Sequence, residues 1–303
     1  MKEYNFGVVI VTYNRLELLK ECIDSVLKQE RPFSNVTIVN NNSNDGTKEY
    51  LDAIDNNFFT VIHTDANLGG AGGFKIGVDS VYKKVDYVLL IDDDAMLSRN
   101  FLKQIEKSIV NNIYAYSGSV LTGGVIDRTH RRRIKNKVLL THIDVQEKEY
   151  DAAYFDYDLS TFCGLVIKTS VINEIGLPKS EYFIWYDDTE YSLRINKISR
   201  IRNINSAVID HKTKLSYSDR YTWKSYYGYR NKIDMGRIYS SCPVLFISYR
   251  VLFHMMRVLQ YTCTSIFSKK DRRYYRFAAK LMEDAVVDSL IGRLGKNAKY
   301  LPE

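Results

Sequence analysis

Apolar residues recur along the first two thirds of the chain with two alternating spacings. The runs FGVVIVTYN (6–14) and VDYVLLIDDD (85–94) are short, apolar and rich in β-branched residues, which is typical of buried strands. In the segment after the first run, apolar residues return every three or four positions, as at Leu16, Leu19 and Ile23, which is the spacing of one helical face. The pattern therefore predicts a strand followed by a helix.

The same alternation continues through NVTIVNNNS (35–43), FFTVIHT (58–64) and GGFKIGVDSVYKK (72–84). Strands and helices that alternate at these lengths predict an α/β fold with a mostly parallel sheet flanked by helices. Each predicted strand is followed by polar residues, as in TYN, NNNSNDGT, TDANLGGAGG and DDD. Because ligands of such sheets bind beyond the carboxyl ends of the strands, we expect these four segments to converge on one crevice.

Three adjacent carboxylates end the fourth predicted strand. Asp92, Asp93 and Asp94 repel one another, and their burial at a sheet end costs solvation. Carboxylates in this position are typical ligands of Mg²⁺ or Mn²⁺ shared with phosphate oxygens, and His211, at the end of a later strand, is either structural or a further ligand. The alternative for the triplet is a helix N-cap at Asp94 or Ser98, for which one carboxylate is sufficient. Three carboxylates therefore favour a metal site.

Two other polar segments each allow two interpretations. NNNSNDGT (40–47) is rich in turn-forming residues and forms either a plain strand-to-helix loop or a ligand contact. NLGGAGGF (67–74) has four glycines, which suits close approach of a ligand to the backbone, although a flexible loop without a ligand is the alternative. Its spacing fits neither the dinucleotide fingerprint nor a Walker loop.

A second acidic cluster lies in YFIWYDDTEYSLRI (182–195). Asp187, Asp188 and Glu190 stand at the start of a predicted helix, where negative charge is favourable even without a ligand. Trp185 beside them offers a flat face for the apolar side of a sugar, and a carboxylate in an aromatic setting can act as a general base towards a hydroxyl. The aromatic neighbours therefore favour a binding site over simple helix capping.

Composition places the chain among globular proteins. It has 303 residues, 45% of them hydrophobic, which is enough to bury a sizeable core in one large domain or in a domain with an appendage. Cys22, Cys163, Cys242 and Cys263 show no CxxC spacing, and no apolar leader precedes the first strand. We therefore expect reduced cysteines and a cytoplasmic protein, peripheral on the inner face of the membrane if it meets one.

Positive charge is concentrated in the C-terminal third. The net charge is +7, but the residues from His211 onward carry 18 Lys or Arg against 7 Asp or Glu. Within VLFISYRVLFHMMRVLQYTCTSIF (244–267), the polar residues share one helical face and interrupt any transmembrane span: Arg250, His254, Arg257, Gln260 and Thr264. The basic cluster KKDRRYYR (269–276) follows. The pattern predicts an amphipathic helix on an anionic membrane surface, or equally one that packs on the catalytic domain or on another subunit.

A second basic segment, RTHRRRIKNK (128–137), lies in the middle of the chain. It is expected either to form a solvated lid or to meet the pyrophosphate of a lipid-linked acceptor.

The order of these motifs resembles a known family. VVIVTYNR, VNNNSNDGT, NLGGAGGF, LLIDDDA, FCGLVIK, WYDDTEYSLR and DHKT together resemble an inverting family 2 glycosyltransferase with the GT-A fold, closest to the galactofuranosyltransferase branch. The resemblance implies transfer of galactofuranose from UDP-galactofuranose to a glycan or lipid-linked glycan acceptor, for a bacterial-type surface polysaccharide such as capsule or O-antigen. It also implies Mn²⁺ or Mg²⁺ as the cofactor. Rhamnosyltransferases that use dTDP-rhamnose share much of the pattern and are the alternative.

The resemblance further implies roles for individual positions. Asp188 matches the catalytic base, while Asp94, His211 and Asp92 match the metal site. The implied donor contacts are Thr12, Asn14, Arg15, Asn40, Asn41, Asn67, Gly69, Gly70, Gly73, Asp92 and Asp93. The implied acceptor contacts are Trp185, Asp187, Glu190 and Gly164. Family members often carry Asp where this chain has Asn40, which leaves the identity of the donor's base open.

The sequence predicts two domains and leaves two other functional classes to be weighed. Residues 1–215 are expected to form the nucleotide-sugar-binding and catalytic domain, and residues 216–303 a helical, basic region for membrane or oligomer contact. A nucleic-acid binder would fit the positive charge and the 24 tyrosines, but no nucleic-acid motif occurs and the aspartates would repel phosphates, so no nucleic acid is expected as a partner. A nucleotidyltransferase would use the same aspartates but gives no reason for WYDDTEY.

Overall fold

The computed structural model describes residues 3–213, 220–268 and 270–302. The strands are β1 (Phe6–Thr12), β2 (Asn35–Asn40), β3 (Phe59–His63), β4 (Tyr87–Asp92), β5 (Ala95–Leu97), β6 (Ala115–Thr122), β7 (Val125–Ile126), β8 (Arg131–Asn136), β9 (Thr141–Asp144), β10 (Tyr154–Tyr157), β11 (Leu159–Ser160), β12 (Leu165–Lys168) and β13 (Ile201–His211). The helices are α1 (Leu16–Leu27), α2 (Thr47–Asp52), α3 (Gly69–Val81), α4 (Phe101–Lys107), α5 (Thr169–Ile175), α6 (Asp187–Ile195), α7 (Trp223–Tyr239), α8 (Pro243–Phe267) and α9 (Arg272–Leu290).

The central sheet has the order β10-β13-β6-β12-β4-β1-β2-β3, with β5 and β7 at its side. The half that contains β4, β1, β2 and β3 is parallel, as the sequence predicts. In the other half, β12 runs antiparallel to both of its neighbours, β4 and β6. A smaller sheet has the order β11-β8-β9.

Strand β1 is buried along its whole length because helices cover both faces of the sheet. Val8 and Ile10 point into one hydrophobic core, which includes residues of α1, and Val9 and Val11 point into a second, which includes residues of α3. This alternation follows from the period of two in a strand. Each such side chain stabilises the fold by about 1.5–3 kcal/mol relative to an exposed one.

The chain forms two compact units. The first consists of Met1–Arg133, Ile143–Ser180 and Asp188–Leu215, and the second of Ile134–His142, Glu181–Asp187 and Ser216–Glu303. The central sheet belongs to the first unit and helices α7 to α9 belong to the second. The second unit thus takes two segments from within the expected catalytic domain, while the expected boundary after residue 215 lies outside the described residues.

The core of the second unit is aromatic. Phe183, Tyr226, Tyr227 and Leu281 are buried together in it. All four cysteines of the chain are free thiols. Among the helices that the structure describes, none combines the length and the apolar character that crossing a bilayer requires.

Candidate active site

The carboxyl ends of β1 and β4 bring Thr12 and the aspartate triplet together. Val11 is the register partner of Asp92 across the two parallel strands. One residue further on, the Thr12 hydroxyl donates a hydrogen bond to Asp93 Oδ2 at 2.8 Å. Both side chains are buried. The expected convergence of these two strand ends is therefore present in the first unit.

Arg15, in the loop after β1, supplies a positive charge to the triplet. Its Nη1 lies 2.7 Å from Asp94 Oδ2 and 3.3 Å from Asp93 Oδ1, while about half of the arginine side chain stays exposed. Arg15 thus offsets part of the repulsion among the three carboxylates. The sequence predicts only a metal in this role.

His211, the last residue of β13, lies beside the same carboxylates. Its Nε2 is 3.2 Å from Asp94 Oδ1, because the antiparallel pairing of β13 with β5 places His211 opposite Ala95. Apart from this contact, Asp94 Oδ1 has no hydrogen-bond partner among the described residues, and His211 Nδ1 is buried without one. Two residues far apart in sequence are therefore held together with spare ligand atoms.

The charges of this cluster depend on one another. Burial and the neighbouring Asp94 and Asp93 raise the pKa of Asp92 to about 7, and burial raises the pKa of Asp93 to about 6 although Arg15 and Thr12 oppose it. Burial alone would raise the pKa of Asp94, but His211 and Arg15 outweigh burial and lower it. Burial likewise would lower the pKa of His211, and Asp94 outweighs it and raises the pKa. Asp94 is therefore the carboxylate most firmly held in its charged form.

The donor atoms near Asp94 fit a divalent cation that is shared with a phosphate ligand. Within the described ranges, no three His, Cys, Asp or Glu side chains form a group that could hold a metal ion by themselves. Asp94 Oδ1 and His211 Nε2 nevertheless offer one oxygen and one nitrogen at a separation suited to adjacent ligands. Mg²⁺ and Mn²⁺ in phosphate-handling sites commonly take few protein ligands and complete their shell with phosphate and water.

The side-chain amides of Asn40 and Asn41, at the end of β2, make hydrogen bonds within the protein. Asn40 Nδ2 lies 3.0 Å from His63 Nδ1, and Asn40 Oδ1 accepts from the Ser43 amide at 3.0 Å. Asn41 Oδ1 accepts from the Leu68 amide at 2.8 Å, and its Nδ2 donates to the Gly69 carbonyl at 2.9 Å. These side chains fasten the ends of β2 and β3 and the start of α3 to one another.

Asn14 and Asn67 connect the same loops. Asn14 has a left-handed backbone, with φ 52°, and its Oδ1 accepts from the Asn44 amide at 2.8 Å. Asn67 Oδ1 accepts from the Gly69 amide at 2.8 Å and from Asn41 Nδ2 at 3.2 Å. Four of the predicted donor contacts thus hydrogen-bond neighbouring loops to one another: Asn14, Asn40, Asn41 and Asn67.

The glycine segment is the first turn of α3, so the flexible-loop interpretation is wrong. A Cβ at Gly73 would lie 2.5 Å from Val11 Cγ1, which means that packing on β1 already requires glycine there. Gly69 has φ 72°, in the left-handed region. A Cβ at Gly70 would meet nothing within 4 Å. Of the three predicted contacts, Gly70 alone has no structural reason to be glycine.

Asp188 is half-buried in the first turn of α6. Its Oδ1 accepts from the backbone amide of Thr189 and, at 3.0 Å, from the Thr189 hydroxyl. Glu190 is buried and pairs with Arg194 at 2.8 Å. A Cβ at Gly164, where φ is +86°, would lie 2.1 Å from Ile209 Cδ1, so packing requires this glycine too. Asp188 is therefore freer to react than Glu190.

The segment that precedes α6 is strained. Phe183, Trp185 and Tyr186 have φ of 64°, 64° and 69°, a region that bulky residues rarely enter. Within the second unit, Asn231 Nδ2 donates to the carbonyls of Tyr182, Ile184 and Trp185 at 3.0, 3.1 and 2.8 Å. Strain of this kind costs about 1–3 kcal/mol per residue and persists only where surrounding bonds hold it.

Trp185 also depends on Gly228 of α7. A Cβ at Gly228 would lie 2.7 Å from the indole Cε3, and the indole is 45% exposed. Sequence reasoning missed both Asn231 and Gly228, because each acts on a segment some forty residues earlier in the chain and no motif marks either one.

Two arginines of the basic segment 128–137 are structural, while Arg128, Lys135 and Lys137 are exposed. Arg131 is fully buried and donates to the carbonyls of Gly118 at 2.8 Å and Cys163 at 3.0 Å. Arg133 makes a two-pronged ion pair with Glu149 at 2.6 Å. Both guanidinium groups are committed to structure, and Arg131 fixes the backbone next to Gly164.

Comparison with known proteins agrees with this architecture. The family model described as glycosyl transferase family 2 matches residues 7–174, more than half of the chain. The galactofuranosyltransferase GlfT1 of Mycolicibacterium smegmatis is 24% identical over 196 residues, which are 62% of this chain and 64% of that protein. The dTDP-rhamnosyl transferase RfbF of Shigella flexneri is 28% identical over 195 residues, 63% of this chain and 62% of the relative. The chain thus spans slightly less than two thirds of each relative.

A solved structure described as GalNAc-T7 with UDP, GalNAc and Mn2+ superposes with a TM-score of 0.63 at 14% identity. The match covers 94% of this chain and 57% of that one. At this identity the likeness concerns the fold alone, and it confirms the predicted GT-A fold.

Proposed function

Since the chain belongs to glycosyl transferase family 2, we propose that it moves a sugar from a nucleotide-sugar donor to a hydroxyl of a glycan or lipid-linked glycan acceptor, with inversion at the anomeric carbon. The proposed donor is UDP-galactofuranose and the proposed product a bacterial-type surface polysaccharide. The observation that carries the proposal is the cluster of Asp93, Asp94, Arg15 and His211 at the end of β4. With a divalent cation held beside Asp94, such a cluster suits a diphosphate better than a neutral ligand.

Binding of the donor depends on positive charge that neutralises its diphosphate. Asp94 and His211 would hold Mn²⁺ or Mg²⁺, which when bound neutralises the departing diphosphate. Arg15, half exposed beside Asp94, is placed to donate to phosphate oxygens as well. Asp92 and Asp93 are assigned to the ribose and the sugar, and Thr12 fixes Asp93 through their hydrogen bond.

The acceptor side rests on Asp188. Thr189 holds one oxygen of this carboxylate, which orients the other for the acceptor hydroxyl. As the acceptor oxygen forms its bond to the anomeric carbon, the bond to the diphosphate breaks and the hydroxyl proton passes to Asp188. Trp185, Asp187, Glu190 and Gly164 remain predicted acceptor contacts.

Replacement of the base tests this assignment. Asp188→Asn should lower transfer about a thousandfold, because the amide cannot take the proton, and should leave donor affinity within a few-fold. Transfer is measured as release of nucleoside diphosphate, with Asp144→Asn, an exposed carboxylate of β9, as the matched control. Retained turnover together with weakened donor binding would contradict the role of Asp188.

The second candidate is rhamnosyl transfer from dTDP-rhamnose. It is favoured by the similarity to the dTDP-rhamnosyl transferase RfbF. Purified protein offered UDP-galactofuranose, dTDP-rhamnose and UDP-hexopyranoses in turn would distinguish the donors by the nucleotide released. A nucleic-acid binder would release none.

A further inference from the structure

Two polar side chains of helix α8, Arg250 and His254, face inward. Within the second unit, His254 is buried and packs edge-on against Tyr229, with ring centroids 4.8 Å apart. Arg250, one turn earlier, is sheltered enough that burial lowers its pKa. Further along, Tyr261 stacks on Tyr275 with centroids 5.7 Å apart. The face of α8 that carries Arg250, His254 and Tyr261 is therefore the one that packs on its own unit.

The opposite face of α8 is apolar and exposed. Its large side chains are between 45% and 84% exposed: Val244, Leu245, Tyr249, Leu252, Met255, Met256, Leu259, Ile266 and Phe267. The helix contains no Asp or Glu. Nine large apolar side chains exposed along one helical face form a contiguous apolar patch of a kind that soluble monomers rarely show. A patch of that size marks a surface that something covers.

Cations follow the apolar face directly. Phe267 is 84% exposed, and Lys270, Arg273 and Arg276 come next in the chain and are exposed. The nearby carboxylate of Asp271 is taken by Arg220 at 2.7 Å. Within the part of the chain that the structure describes, Lys270, Arg273 and Arg276 have no carboxylate partner. Lys269, the other cation of the cluster, lies outside the described residues.

We infer that the outer face of α8 docks on an anionic lipid surface. The apolar side chains enter the boundary between headgroups and acyl chains, and Lys270, Arg273 and Arg276 meet headgroup phosphates. Apolar burial and attraction to anionic lipid are the two contributions that hold a surface helix. Each basic side chain near such a surface strengthens binding about fivefold.

Charge complementarity favours lipid over a second copy of the chain. An α8-to-α8 contact would cover the apolar face, but α8 has no carboxylate to pair with the cations of its partner. Anionic headgroups cover the apolar face and neutralise the cations at once. The lipid surface therefore accounts for both observations.

Sedimentation with vesicles tests the inference. The full chain should sediment with vesicles of phosphatidylcholine and phosphatidylglycerol, weakly with phosphatidylcholine alone, and less as salt is raised. Leu252→Ser with Leu259→Ser, and separately Arg273→Glu with Arg276→Glu, should each weaken binding to the anionic vesicles about tenfold or more. All four side chains are exposed, so their replacement leaves the fold intact.

Matched controls come from the first unit. Leu27→Ser replaces a leucine of α1 that is 54% exposed, and Lys84→Glu with Lys107→Glu reverses two exposed charges. These variants should sediment like the unchanged protein. Nucleotide release is not measured, so the outcome does not depend on the proposed transferase activity.

Three results would overturn the inference. The first is a monomer that sediments with neither kind of vesicle. The second is equal binding to both kinds of vesicle, which would show that the anionic headgroup does not contribute to binding. The third is a dimer by light scattering that is lost in the leucine variant while vesicle binding is absent, which would assign the face to a second copy.

Discussion

Asn231 shows how one buried amide can hold a strained loop. Its three bonds to the carbonyls of Tyr182, Ile184 and Trp185 occupy both of its hydrogens, and Arg230 Nε donates to its Oδ1 at 3.0 Å. Only the amides of Asn and Gln offer two donors and an acceptor without charge. Asn231 therefore bonds more carbonyls of the strained segment than any other side chain in the described ranges, with Arg230 and Gly228 as further contacts.

Asn231→Ala should lower the free energy of unfolding by about 2–4 kcal/mol, because buried carbonyls lose their donor and a cavity opens. Urea unfolding measures the change. In a Trp223→Phe background Trp185 is the remaining tryptophan, so its fluorescence should shift in folded Asn231→Ala. Asn112→Ala, at an exposed asparagine, serves as the control. An unshifted spectrum with full stability would show that Asn231 does not hold the loop.

At the residue scale, the sequence predicts side chains whose chemistry is explicit. The aspartate triplet, Thr12 and His211 are found together because strand ends can be read from periodicity, and parallel strands end on one edge. Arg131 and Asn231 cannot be found in this way. Their partners are backbone carbonyls, which every residue carries, so no local pattern marks them.

At the element scale, periodicity predicts that α8 exists and which residues share a face, and the structure decides which face is covered. The apolar face would ordinarily pack inward, yet here the stripe of Arg250 and His254 does. Phe246 contributes to this packing, since a Cβ at Gly236 of α7 would lie 1.9 Å from its ring. Tertiary contacts that involve distant helices settle the choice.

Burial of His254 makes stability depend on pH. Burial lowers the pKa of His254 to about 4, below its ordinary pKa near 6.5. Between these two pH values His254 is protonated in the unfolded chain and neutral in the folded one. This contribution to stability is complete above pH 6.5 and is lost as pH falls towards 4. Between pH 7 and pH 5 the loss is about 2 kcal/mol.

His254→Leu should remove that part of the pH dependence, because leucine neither titrates nor leaves a buried nitrogen unpaired. Arg250 and Lys232 are the neighbouring cations that also oppose its protonation. Urea unfolding of both proteins at pH 7 and pH 5 measures the difference. Equal losses of stability in the two proteins would show that His254 does not titrate in this range.

At the scale of the whole molecule, ligand binding should stabilise the folded chain only when a metal is present. If Asp94 and His211 hold Mn²⁺ against a diphosphate, UDP with Mn²⁺ at about a hundredfold excess over Kd adds about 3 kcal/mol and raises Tm by several degrees. Thermal unfolding with and without EDTA measures this rise. His211→Ala should abolish it, and His142→Ala, at a half-exposed histidine of β9, should not. An equal rise of Tm in the presence of EDTA would show that UDP binds without a metal.

The sheet order has a consequence for how the molecule is made. Strand β6 joins the central sheet through β12 and β13, both of which come later in the chain. During synthesis β1 to β4 can pair as soon as they emerge, whereas β6 waits with open edges for segments translated afterwards. His211, the last residue of β13, reaches Asp94 only at the end of that delay. Synthesis thus exposes an incomplete sheet, and the nascent chain is most prone to aggregate while β6 still lacks β12 and β13.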